Sequence, residues 1–159
     1  MVVGHCIAHS YVDAARFILM LDGAFILISA WGWLRNNADE GIAMPQFVSA
    51  MIGFPAAVLA KSFDTSQERV AVAMLLSAAA AVSWAYTVIA DIQWLNSVRQ
   101  RIDLGEVSVN SFYWPAQWIS IVILVAVSIN HGILALFCRR RLRQSAFLNN
   151  RGGEYDDIL

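Results

Sequence analysis

FILMLDGAFILISAWGWL, residues 17–34, reads as a membrane span with one discordant residue, Asp22. A helix crosses the hydrocarbon core of a bilayer with about 20 mostly apolar residues. Taken from about Ala14 to Leu34, this segment has that length. A carboxylate at the centre of such a helix costs roughly 2.5–3.5 kcal/mol or more unless it finds a partner. Asp22 is therefore expected to turn inward, and the question is what meets it.

Three further segments can answer. The second candidate span covers about residues 42–63 and is interrupted by Pro45, Gln46 and Pro55. The third covers 70–95 and contains VAVAMLLSAAAAVSWAYTVIA. The fourth covers 112–138 and contains WISIVILVAVSINHGILALF. The connections are short, so successive helices should be antiparallel neighbours. The expectation is an all-α, polytopic membrane protein: a four-helix transmembrane bundle over 14–138. Residues 1–13 form a cytoplasmic segment before it, and 139–159 a basic tail after it. The first apolar run exceeds a typical signal-peptide core, so it is read as retained.

Composition agrees. The 159 residues are 58% hydrophobic and 14% charged, against about 25% charged in an ordinary soluble domain. A net charge of −1 gives no electrostatic footprint for nucleic acid. Cys6 and Cys138 are too few for a disulfide scaffold, and no CxxC spacing suggests zinc. No catalytic signature, metal site or cofactor motif stands out, and the expectation is a protein without enzymatic activity or cofactor.

Orientation follows from Lys and Arg in the flanks. Arg16, Lys61, Arg69, Arg139, Arg140, Arg141, Arg143 and Arg151 fall at one end of the bundle; Arg35, Arg99 and Arg101 fall at the other. Both termini are thus expected on the cytoplasmic side or its matrix or stromal equivalent. Trp31, Trp33, Trp94, Tyr113, Trp114 and Trp118 lie at the opposite ends of the spans, as an interfacial aromatic belt would.

Depth can be counted from the basic end at about 1.5 Å per residue. Asp22 lies roughly 10 Å in on this count. Asn130 and His131 on the fourth span lie at the same level, as does Ser77 on the third. Pro55 on the second span frees one carbonyl there. Asp22, Ser77, Asn130 and His131 are therefore the candidate intramembrane polar contact. Two roles fit it: a clamp between the first and fourth helices, or a proton or ion relay.

Other features have ordinary explanations beside sharper ones. Ala73, Ser77 and Ala81 form a small-residue stripe that suits bundle packing or a dimer seam. Asp91, near the outer end of the third span, is expected to be solvated at the interface. Asp13 and Arg16 are spaced to pair locally. His5 and His9 have a ligand-like spacing with nothing nearby to complete a metal site, and a haem between His9 and His131 is disfavoured by their depths. Ile92, Leu95, Val98 and Ile102 predict that the third helix continues past the lipid with an amphipathic end.

The tail, CRRRLRQSAFLNNRGGEYDDIL, has three parts. Cys138 is a juxtamembrane palmitoylation candidate. Arg139, Arg140, Arg141 and Arg143 are candidates for anionic-lipid contact, besides serving as a positive-inside flank. NNRGG reads as a flexible linker. Glu154, Tyr155, Ile158 and Leu159 then form a candidate sorting signal, of the tyrosine-based or acidic-dileucine type.

Four spans, cytoplasmic termini, short loops and a basic tail resemble the MARVEL-type tetraspan proteins, including their plant Casparian-strip relatives, over about residues 11–143. That group tends to carry a basic residue in the first span and an acidic one in the third, places that Arg16 and Asp91 would fill. The resemblance implies membrane apposition, microdomain organisation or vesicle traffic, without catalysis. Its partners would be the lipid bilayer and other membrane-protein subunits or further copies of the chain. Two alternatives stay open: a small accessory subunit of a respiratory or channel assembly, and a proton-coupled transporter built on the Asp22 layer.

Overall fold

The computed structural model describes residues 15–28, 30–31, 40–61 and 66–156. They form four helices and, among the described residues, no strand. Helix α1 covers residues 15–28, with helical backbone again at 30 and 31. Helix α2 is Glu40–Lys61, α3 is Gln67–Asp103 and α4 is Tyr113–Asp156.

The long apolar runs explain α3 and α4. Each is long and apolar enough to cross a membrane, while α2 contributes a shorter apolar stretch, Met44–Ala60. With 37 residues, α3 outruns the expected 70–95 span at both ends and reaches about 55 Å at 1.5 Å per residue. Its stop is written in the chain. Gly105 takes φ +75°, a conformation that costs glycine little. The Gly105 N–H then donates to the Ile102 carbonyl and the Glu106 N–H to the Arg101 carbonyl, each at 2.9 Å. These two bonds satisfy carbonyls that the helix end would leave open. An exposed Arg101–Glu106 ion pair at 3.4 Å lies across the same turn.

The far end of α4 differs from expectation. NNRGG, expected as a flexible linker, is helical in backbone, and the helix continues through Asp156. Propagating a helix that is already nucleated fixes one residue per hydrogen bond. Two adjacent glycines, at roughly 1 kcal/mol each, slow that propagation without the steric block that proline would impose.

The four helices share one interior. Near the basic end, Ala15 and Ile18 of α1 meet Ala57 and Ala60 of α2, Val70 and Ala73 of α3, and Leu134 and Cys138 of α4. Further along, Ala50, Ala80, Trp84, Leu124 and Val127 form a second cluster, with Phe25 tilted against Trp84 at 4.9 Å between ring centroids. The buried residues of α3 are Val70, Ala73, Ser77, Ala80, Trp84, Thr87, Asp91, Leu95 and Val98. Their steps of three and four are the seam of a helix packed at a shallow angle against its neighbours. Ala81 is only half-buried, so the small-residue stripe bends into this seam and does not run straight at four-residue steps.

The outer faces are apolar instead. Leu27, Val82, Val122 and Leu136 are exposed by 64–72%, on three different helices. Met51 and Phe54 of α2 are also exposed, though less fully. The buried set, in contrast, includes Asp22, Ser49, Ser77, Thr87, Asp91 and His131.

Candidate functional site

Asp22 follows Ala15 and Ile18 at steps of three and four, so it shares their inward face on α1. His131 sits in the equivalent row of α4, between Val127 and Leu134. Both side chains are fully buried, and His131 Nε2 lies 3.1 Å from Asp22 Oδ2 and 3.4 Å from Oδ1. Asn130, at the same depth, is half-buried on the neighbouring flank, and the bond goes to His131. The contact works with Nε2–H donating to a carboxylate, or with an un-ionised Asp22 O–H donating to a bare Nε2. Either way one proton sits on the line between them.

The second helix supplies a gap. Gly53 of α2 packs so closely on the pair that an added Cβ would overlap Asp22 Oδ2 and stand 2.7 Å from His131 Nε2. The layer's α2 member is therefore Gly53, two residues from the Pro55 that the sequence suggested. Pro55 itself is half-buried. Nothing in the sequence distinguishes Gly53 as a contact residue, because a close approach depends on side chains from two other helices.

The third helix completes the level. Ser128 Oγ donates to the Ala81 carbonyl at 2.9 Å, which sets the register of α3 against α4. Counting back three or four residues on α3 brings Ser77 opposite His131. Ser77 is fully buried there, but its Oγ makes no hydrogen bond among the described residues. Asp22, His131 and Ser77 are thus in one layer without forming a nucleophile–base–carboxylate chain. Trp84 Nε1 is buried beside the same carboxylate without completing a hydrogen bond, and His131 Nδ1 is likewise left open among the described residues.

A second polar group lies between α2 and α3. Ser49 Oγ is 2.7 Å from Ser83 Oγ and 3.0 Å from Thr87 Oγ1, and Thr87 also donates to the Ser83 carbonyl at 3.1 Å. One turn further on, Gln46 Nε2 donates to Asp91 Oδ2 at 3.4 Å. The expectation for Asp91 is corrected here: it is 4% exposed, inside the bundle and not solvated at the interface. Its place on the three-and-four row of α3 was the available signal, since that row carries it inward together with Trp84 and Thr87.

The tail residues divide. The Cys138 thiol is fully buried in the basic-end cluster. This corrects its reading as a palmitoylation candidate, because an acyl transferase needs an accessible sulfur. Arg139, Arg140 and Arg143 are exposed, and Arg141 is half-buried. Glu154 and Tyr155 lie on helical backbone; Ile158 and Leu159 are outside the described residues, as are His5, His9 and Asp13. Among the described residues no group of three or more His, Cys, Asp or Glu side chains converges on a metal position.

No family model, curated protein or solved structure matches this chain.

Proposed function

We propose that the chain is a four-span integral membrane protein without enzymatic activity, a helical organiser of membranes or of membrane assemblies. The observation that carries this reading is the reversed distribution of polarity. Large aliphatic side chains face outward on all four helices while Asp22, His131, Asp91 and three hydroxyl side chains face inward. In water each such exposed side chain would forgo about 1.5–3 kcal/mol of burial. In lipid the outer faces are matched to their surroundings and the polar groups are held together inside.

Four helices and a basic end on α4 support kinship in topology with MARVEL-type tetraspan proteins. The excess of Lys and Arg at that end supports a cytoplasmic placement of both termini. Exposed Arg139, Arg140 and Arg143 are positioned to meet anionic lipid headgroups there.

Carbonate washing of membranes followed by mild-detergent purification tests the proposal. Retention after the wash and a self-associating species on vesicles support the organiser. A stoichiometric large complex would favour the accessory-subunit reading, and substrate-coupled proton flux would favour transport. Release by carbonate would overturn membrane integration itself.

A further inference from the structure

We propose that the bundle interior holds a one-sided path for water and protons, leading from the aromatic end to the Asp22–His131 pair and closed toward the basic end. The proposal rests on the membrane-spanning reading above.

The path is drawn by side chains already placed. Gln46, Ser49 and Gly53 lie on one face of α2, three and four residues apart, so successive levels differ by about 4.5–6 Å. At the first level Gln46 meets Asp91 at 3.4 Å; at the second Ser49 meets Ser83 at 2.7 Å; at the third Gly53 touches the pair. Two hydrogen bonds in series through one water span roughly 5.5 Å, which matches each interval. Gln46 is half-buried and forms the mouth.

The open hydrogen-bonding positions lie at the two ends of this line. Asp91 Oδ1, Trp84 Nε1, His131 Nδ1 and Ser77 Oγ are buried and without a hydrogen bond among the described residues. Buried polar atoms in native proteins are almost always paired, commonly with internal water. Asp91 Oδ1 stands open at the mouth, and Trp84 Nε1, His131 Nδ1 and Ser77 Oγ stand open at the level of the pair, with the Ser49, Ser83 and Thr87 hydroxyls between them, so both ends of the path offer partners to bridging water.

In the other direction the described residues include no such buried polar group. Between the pair and the basic end the bundle is filled by Ala15, Ile18, Ala57, Val70, Ala73 and Leu134, each no more than 4% exposed. These side chains offer water no hydrogen bond, so a proton reaches the pair from one side only. It adds to the carboxylate–imidazole pair from hydrated solvent at the aromatic end and leaves by the same route; only O–H and N–H bonds form and break.

The test uses the full chain in sealed vesicles, with Cys6 and Cys138 replaced by alanine and single cysteines at Ser49→Cys, Ser83→Cys, Ala57→Cys or Ala73→Cys. A small hydrophilic thiol reagent is added from one side, then from the other. The two seam cysteines should be consumed at least ten-fold faster from the aromatic-end side than from the basic-end side, and the two plug cysteines slowly from both. Seam cysteines no faster than plug cysteines, or equally fast from both sides, would overturn the path. In a chain with native cysteines, infrared spectra after transfer to D2O supply a readout independent of thiols. The Asp22 band, identified by its loss in Asp22→Asn, should exchange more slowly in Ser49→Leu than in the unsubstituted chain; an unchanged rate also overturns the path. Carbonate release of the chain, by contrast, would remove the membrane reading and not the path alone.

Discussion

Gly53 lies against Asp22 with no room between them for a methyl group, since a Cβ at 53 would overlap the Oδ2 that His131 engages. Helix α2 therefore controls a contact made by α1 and α4. Gly53→Ala should open the pair or push α2 outward, at a cost of about 1–3 kcal/mol for overpacking. Gly132→Ala is the control. Nothing lies within 4 Å of its added Cβ, and alanine favours the helix by up to ~1 kcal/mol. Thermal unfolding in mild detergent should show the first variant lowered and the second unchanged or raised. Equal midpoints would contradict the tight packing at 53.

Asp22 and His131 should be energetically coupled. Interhelical polar contacts in membranes average about 0.6 kcal/mol, with a maximum near 1.7, so the coupling belongs in that range. Asp22→Asn should be mild, because an amide oxygen still accepts from Nε2–H. Asp22→Leu should cost more, since it strands the imidazole in the core. A double-mutant cycle with His131→Leu isolates the pair. Strict additivity would mean that the 3.1 Å contact contributes nothing of its own.

Topology is open to direct labelling. In sealed right-side-out vesicles both termini should be protected, while the connection between α3 and α4 should be labelled from outside at an engineered cysteine. Labelling of a C-terminal tag from outside would reverse the proposed orientation.

For the tail, a sorting role requires Tyr155 and Ile158 to engage a receptor. Replacing both with alanine should shift the protein toward the cell surface and leave its melting profile unchanged. An unaltered distribution would remove the signal. Because the backbone is helical through Asp156, recognition as an extended peptide also requires this end of α4 to unwind. A helix-breaking Gln144→Pro, placed before the signal, should then preserve sorting or strengthen it.

Depth was readable from the chain alone. Every helical residue rises by about 1.5 Å, so counting from the basic end puts Asp22, Ser77 and His131 on one level whatever the packing. Composition likewise marked the apolar runs of α3 and α4, and the steps of Ile92, Leu95, Val98 and Ile102 marked the extension of α3. Rotation was not readable in this way. Asn130 and His131 differ by about 100° around α4 at nearly the same depth. Which of them faces α1 depends on how Leu124, Val127, Leu134 and Cys138 pack. Depth alone makes Asp91 interfacial; the three-and-four row it shares with Trp84 and Thr87 carries it inward, and only the packed structure shows that its partner there is Gln46 of α2. The missing N–H of Pro55 is visible in sequence, whereas the close approach of Gly53 exists only once α1 and α4 have brought their side chains to it. Rise along a helix is set by local backbone geometry and is the same in every context. Azimuth and partner choice come from the summed packing of four helices, and no single segment carries that sum.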